Sequence, residues 1–118
     1  MITVYGITNC QTVQKALTWL KKNNIQYNFH DYKKVGIDIE HLQKWCQKFG
    51  WEKVLNQSGM MWRKASEAEK ATVIDEKSAI EFMLKIPNSI KRPVIEYDSE
   101  ILKGFDEVEY EKVFLVGN

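Results

Sequence analysis

Cys10 stands where the sequence predicts that a strand passes into a helix. The strand is indicated by the apolar residues Ile2 and Val4. The helix is indicated by apolar residues at three- and four-residue steps: Val13, Ala16, Leu17 and Leu20. The first turn of a helix offers unpaired N–H groups and the positive end of the helix dipole, and both stabilise a thiolate. We therefore predict that Cys10 is a nucleophile, because such thiols have pKa values lowered to roughly 3.5 to 7.5.

A second interpretation of Cys10 is a small buried residue at the end of a loop, since free cysteine is among the most buried residue types. Its neighbours Asn9 and Gln11 are polar and favour access to solvent. The other cysteine, Cys46, falls on the apolar stripe of a later helix, so we expect it in the core.

Only two of the seventeen basic residues are arginines, Arg63 and Arg92. A guanidinium group binds oxyanions and carboxylates in a bidentate way that lysine cannot copy. We expect both arginines in loops, Arg92 directly before Pro93 at the start of a strand. A proline there cannot donate a ladder hydrogen bond, and its peptide bond is a candidate for the cis form. The segment Arg92-Pro93 could thus present a backbone edge beside the thiol. The alternative for each arginine is a solvated charge or a structural ion pair.

The elements that must position these groups begin with a βαβ unit, whose second strand is predicted at Tyr27-Asn28-Phe29-His30. A lysine-rich loop through Val35-Gly36 leads to a helix begun by Asp38, with the apolar positions Ile39, Leu42, Cys46 and Phe49. After Gly50 we expect a short helix or turn over residues 51–55, a loop over residues 56–61 and Trp62-Arg63-Lys64 leading out of it.

Three further helices and a hairpin complete the predicted chain. Ser66 and Glu69 form a capping box, and Asp75 begins a helix that carries Ala79, Ile80, Met83 and Leu84 to the core. Short apolar runs at residues 94–97 and 101–103 predict the hairpin. Asp106 then caps a last helix with the apolar face Val108, Val113 and Phe114. This order predicts one α/β domain over residues 1–118, a mixed four-stranded sheet with a helical insertion at about residues 38–86 between the βαβ and ββα halves.

Charge balance and residue spacing give no reason to expect several classes of partner. The formal charge of +1 gives no electrostatic reason to expect nucleic acid or an anionic membrane as a partner. No secretory signal or membrane span is apparent, so we expect a cytoplasmic protein. The residues His30, His41, Cys10 and Cys46 lack ligand-pair spacing, and we expect no metal.

Several separated motifs together resemble the arsenate reductase (ArsC) family, with the YffB-like branch nearest and the Spx-type regulators more distant. These motifs are Tyr5-Gly6-Ile7-Thr8-Asn9-Cys10, Gly50-Trp51-Glu52 with Leu55-Asn56, Trp62-Arg63-Lys64, Ile90-Lys91-Arg92-Pro93 and Gly104-Phe105. The resemblance implies a thioredoxin-like fold with a helical insertion, a cis peptide before Pro93, and Cys10 as the catalytic cysteine. It also implies oxyanion binding by Arg63 and Arg92, and we assign Pro93 and Asn9 to the same substrate site.

Two departures from the family refine the expected function. Where arsenate reductases have a third arginine near the end of the last hairpin, this chain has Lys103-Gly104-Phe105, so arsenate is not the expected substrate. Spx-type regulators have a second cysteine three residues after the first, and here that position is Val13. We therefore expect a reductase that uses Cys10 alone, with no tightly bound cofactor and with glutathione or a similar small thiol as co-substrate. The alternative is a non-catalytic, Spx-like regulatory module that contacts RNA polymerase.

Overall fold

The computed structural model of the chain describes residues 1–115, which form two compact units. The first contains Met1–Asp31 and the segment from Arg92 onward, and the second is Tyr32–Lys91. In chain order the elements are β1 (Ile2–Gly6), α1 (Gln11–Lys22), β2 (Tyr27–Asp31), α2 (Tyr32–Val35), α3 (Ile39–Phe49), α4 (Trp51–Val54), α5 (Met60–Arg63), α6 (Glu67–Ala71), α7 (Glu76–Lys85), β3 (Val94–Tyr97), β4 (Glu100–Lys103) and α8 (Glu107–Tyr110). A 3-10 turn spans Pro87–Ser89, and wider helical turns span Glu111–Leu115.

The first unit is built on the mixed four-stranded sheet that the sequence predicts. Its strand order is β2-β1-β3-β4, with β1 and β2 parallel and the other two pairs antiparallel. In the centre of the sheet Val4 pairs with Phe29 on one side and with Ile95 on the other. The core on this sheet consists of the buried residues Ile2, Val4, Ala16, Trp19, Leu20, Ile95, Leu102, Tyr110 and Phe114.

Helix α1 follows the predicted apolar pattern with one change. Val13, Ala16 and Leu20 are buried as expected, whereas Leu17 is only partly buried and Trp19 takes its place in the core. The helix ends at Asn23, whose Nδ2 donates a 2.9 Å hydrogen bond to the Trp19 carbonyl oxygen.

The last helix begins at the predicted cap but buries a different face. The Asp106 carboxylate accepts hydrogen bonds from the N–H groups of Val108 and Glu109, at 3.0 and 3.3 Å. Tyr110 and Phe114 are buried, whereas Val108 is 61% exposed. Val108 precedes Tyr110 by two residues, about 200° around a helix, so the two side chains cannot face the same core. The expected apolar position at Val108 is therefore wrong.

The second unit is helical, with its caps where the sequence places them. Asp38 accepts from the His41 N–H at 2.9 Å, and reciprocal capping boxes begin α6 at Ser66 and α7 at Asp75. Within α7, Phe82 is buried and Leu84 is 37% exposed, so the expected core position at Leu84 is wrong.

Two segments expected to be loops are single helical turns. The stretch through Val35 forms α2, because Tyr32 is fully buried and its hydroxyl donates to the Ile90 carbonyl oxygen at 3.0 Å. Arg63 ends α5 instead of lying in a loop, and the preceding Trp62 packs edge-on against Phe82 with ring centroids 5.3 Å apart. None of the helices described over residues 1–115 combines the length and apolar character needed to cross a bilayer.

Candidate active site at Cys10

Cys10 is the N-cap residue of α1, as the sequence predicts. Its backbone is extended, at φ −138° and ψ 123°, and its side chain is partly exposed. The path of the chain from β1 to Cys10 begins at Gly6, the last residue of β1. A Cβ atom on Gly6 would lie 2.9 Å from Cγ2 of Val13, so the Val13 side chain packs directly against the backbone of β1. Glycine is therefore favoured at the end of β1, because a side chain there would press against Val13.

The surroundings of Cys10 favour its thiolate. Burial of the sulfur alone would raise its pKa, but a hydrogen bond from the Val13 N–H opposes that effect. The guanidinium group of Arg92, by hydrogen bond and by charge, and the Thr12 N–H act in the same direction. The balance is a Cys10 pKa lowered from its ordinary value. The helix start and Arg92 therefore outweigh desolvation.

Arg92 reaches Cys10 because of the antiparallel pairing of β1 with β3. Tyr5 pairs with Val94, so the residues just before β3 lie beside those that follow β1. The peptide bond between Arg92 and Pro93 is cis. The Pro93 carbonyl oxygen accepts a 2.8 Å hydrogen bond from the Gly104 N–H, which ties the start of β3 to the end of the hairpin.

The loop before Cys10 is braced by α1. Nε2 of Gln14 donates a 2.8 Å hydrogen bond to the Thr8 carbonyl oxygen. Asn9 lies exposed in this loop, next to the thiol in sequence. An open cleft of about 530 Å³ surrounds the sulfur and is lined by Thr8, Asn9, Cys10, Gln11, Gln14 and Lys15.

The sequence model of the ArsC family matches residues 5–113 of this chain, which include Cys10, Arg63 and Arg92. The chain belongs to the ArsC family. An uncharacterised protein of Haemophilus influenzae is 42% identical over 114 residues, 97% of this chain and 99% of its own.

Two solved structures resemble this ArsC-family protein over nearly its whole length. The structure of a protein named YffB is 50% identical, covers 93% of this chain and 96% of its own, and superposes with a TM-score of 0.89. An arsenate reductase (ArsC) related protein from Brucella melitensis is 43% identical, covers 98% of this chain and 95% of its own, and has a TM-score of 0.73. These relatives establish the thioredoxin-like fold that the resemblance implies.

Of the predicted site residues, the first unit brings together Cys10, Asn9, Arg92 and Pro93. Arg63 belongs to the second unit, where it is exposed at the end of α5. Cys46 also lies there, 3% exposed on α3, and burial together with the Glu76 charge raises its pKa to about 11. Across residues 1–115, no group of three or more His, Cys, Asp or Glu side chains is placed to hold a metal ion.

Sequence reasoning missed two contributors to the site of this ArsC-family protein. The N–H groups of Thr12 and Val13 were anticipated only as a property of helix starts, not as individual donors to the sulfur. The second contributor is Gln14, which the apolar spacing of α1 places on the polar face of the helix without indicating a contact. Its position four residues after Cys10, one helical turn along, is the available signal that it could reach back to the loop.

Proposed function

We propose that this ArsC-family protein is a thiol-dependent reductase that uses Cys10 as its single nucleophile and a small thiol such as glutathione as co-substrate. The observation that carries the proposal is the lowered pKa of a partly exposed thiol at the start of α1, beside Arg92. A thiolate, not a thiol, attacks disulfide sulfur, so a lowered pKa increases the reactive fraction at neutral pH.

The reaction takes place in two exchanges. In the first, the Cys10 thiolate attacks the glutathionyl sulfur of a mixed disulfide, and the substrate thiolate leaves. In the second, the thiolate of a free glutathione attacks the Cys10 mixed disulfide, which releases glutathione disulfide and restores the Cys10 thiolate. One disulfide is consumed and one is formed: each turnover uses one free glutathione, and the other half of the glutathione disulfide is the glutathionyl group taken from the substrate.

An external thiol is required to resolve the Cys10 mixed disulfide, because the chain itself offers no suitable second thiol. Cys46 is the only other cysteine in the sequence. It is buried, and a pKa of about 11 leaves about one part in ten thousand as thiolate at pH 7. A thiol of this kind is a poor resolving nucleophile.

The remaining predicted residues have binding roles in this proposal. Arg92 stabilises the Cys10 thiolate and then receives an anionic group of the substrate, such as a glutathione carboxylate. Asn9 and the backbone edge at Pro93 contribute polar contacts, and an anion-binding role for Arg63, in the second unit, stays a prediction from the family resemblance. Because Lys103 stands where arsenate reductases have a third arginine, a disulfide is the preferred substrate over arsenate.

Thiol transfer from the mixed disulfide of glutathione and 2-mercaptoethanol tests this function. The wild type and Cys46→Ala should turn it over with glutathione, Cys10→Ser should not, and mass spectrometry should detect a glutathione adduct on Cys10. Full activity of Cys10→Ser would refute the mechanism.

The lysine at position 103, where arsenate reductases have an arginine, also favours a second candidate function. This is a non-catalytic regulatory module that contacts RNA polymerase. A pull-down that recovers the polymerase, combined with no thiol-transfer turnover by the wild type, would establish that candidate instead.

A further inference from the structure

A second cleft lies next to the cleft at Cys10 along α1. The second has a volume of about 550 Å³ and is lined by Gln14, Lys15, Thr18, Trp19, Lys22, Phe105 and Glu107. Gln14 and Lys15 line both clefts. We call the joined surface the α1 groove, and it lies wholly within the first unit.

The α1 groove is longer than a small thiol requires. From Cys10 to Lys22 the helix rises about 18 Å, at about 1.5 Å per residue. An extended chain advances about 3.3 to 3.6 Å per residue, so five or six residues of a peptide would fill the groove. Both clefts are open along one side, whereas sites for small molecules enclose most of their ligand.

The chemistry of the groove changes along its length. At the Cys10 end the lining residues are of polar type but expose mostly apolar surface, and the far end adds two aromatic residues, Trp19, which is 8% exposed, and Phe105, which is partly buried. Lys15 and Lys22 contribute two positive charges, seven residues and about two helical turns apart, against the single carboxylate of Glu107. The walls therefore complement a segment with an apolar side chain and a net negative charge.

We propose that the disulfide substrate of Cys10 is a protein segment that lies extended in the α1 groove, with an acidic residue near Lys22. This inference rests on the proposed function and specifies its substrate class. The Cys10 thiolate attacks the glutathionyl sulfur, and the cysteine of the bound segment leaves as a thiolate with its flanking residues still in the groove. A free glutathione then resolves the Cys10 adduct, as in the scheme above.

Two glutathionylated peptides of six residues test the proposal. Both begin with cysteine and carry phenylalanine in the middle, and they end in either aspartate or asparagine. For the wild type at low salt, kcat/KM should be about threefold higher for the aspartate peptide, the effect of an exposed charge pair. Lys22→Gln should remove this preference, and Glu107→Gln should increase it, because one change removes attraction and the other removes repulsion.

Lys21→Gln is the matched control, since Lys21 is an exposed neighbour of Lys22 that does not line the groove. It should leave the preference intact, and the mixed disulfide with 2-mercaptoethanol should be indifferent to all three substitutions. Equal kcat/KM values for the two peptides, unchanged by Lys22→Gln, would overturn the groove proposal. Activity on the small disulfide would in that case still support the proposed reductase function. If the wild type turned over neither the peptides nor the small disulfide, the proposed reductase function itself would be overturned.

Discussion

The guanidinium group of Arg92 contacts the sulfur of Cys10 and lowers its pKa by hydrogen bond and by charge. The two residues are distant in sequence, and the antiparallel register of Tyr5 with Val94 brings their segments together. The contact joins the nucleophile to the charge that stabilises it within a single unit of the fold. Arg92 is therefore the side chain that lowers the Cys10 pKa, in addition to the larger contribution of the Val13 N–H.

Replacing Arg92 should raise the pKa of Cys10. With Arg92→Ala in a Cys46→Ala background, the midpoint of the pH dependence of alkylation should move up. At pH values below that midpoint the rate should fall about two- to fivefold, as expected for losing a partly exposed charge interaction. Arg92→Lys should retain part of the effect, because it keeps the charge and loses the planar fork.

Lys91→Ala is the control for this measurement, since it removes a neighbouring cation that is not among the groups that shift the Cys10 pKa. An Arg92→Ala midpoint equal to that of the wild type would contradict the assigned contact.

Gln14→Ala should impair catalysis more than folding. It removes the 2.8 Å hydrogen bond to the Thr8 carbonyl oxygen, which holds the loop before Cys10. The expected loss of unfolding free energy is about 1 kcal/mol for one hydrogen bond. A less ordered loop should lower kcat/KM for thiol transfer by more than Gln26→Ala does, because Gln26 is exposed and lies outside the loop and the groove. Equal kinetics for the two variants would show that the brace is dispensable.

Cys46 should behave as a core residue. Iodoacetamide at pH 7 should modify one thiol of the native protein, Cys10, and a second only after unfolding, because Cys46 is buried with a pKa of about 11. Cys46→Ala should keep thiol transfer, and Cys46→Ser should melt at a lower temperature than Cys46→Ala, since an unsatisfied buried hydroxyl costs about 1–3 kcal/mol. If mass spectrometry showed that iodoacetamide rapidly modifies both thiols of the native protein, Cys46 would not be a core residue.

The sequence predicts the part of the site that is formed by residues close together along the chain, namely Cys10 and the start of α1. The periodicity of α1 and the position of Cys10 before it suffice to predict an activated thiol, because helix N-termini stabilise anions wherever they occur. The partnership with Arg92 depends on the register of β1 and β3, so the sequence indicates only that Arg92-Pro93 could lie beside the thiol and does not predict a guanidinium contact with the sulfur. Helices α2 and α5 were missed because one turn is too short for periodicity to reveal. Each is positioned by tertiary contacts, those of Tyr32 with Ile90 and of Trp62 with Phe82.

Gly6→Ala should destabilise the protein through Val13. The added Cβ would stand 2.9 Å from Cγ2 of a fully buried, β-branched side chain whose rotation about χ1 is restricted in a helix. Overpacking of this kind costs about 1–3 kcal/mol, measurable by urea unfolding. In a double-mutant cycle Val13→Ala should relieve part of the cost, so the two changes together should destabilise less than their sum. Strict additivity would place the strain elsewhere.

The stability of the fold should depend on pH through Cys10. A folded-state pKa below that of the unfolded thiol means that the native state binds the proton less tightly and so stabilises the thiolate form of Cys10. The stabilisation is fully present above the unfolded pKa of about 8.5 and is lost as the pH falls through the lower folded pKa. The free energy of unfolding of the wild type, relative to Cys10→Ser, should therefore rise with pH across that interval. In an Arg92→Ala background the rise should be smaller, because the two pKa values lie closer together. A difference between wild type and Cys10→Ser that stays constant with pH would mean that folding leaves the thiol pKa unchanged, contrary to the site described above.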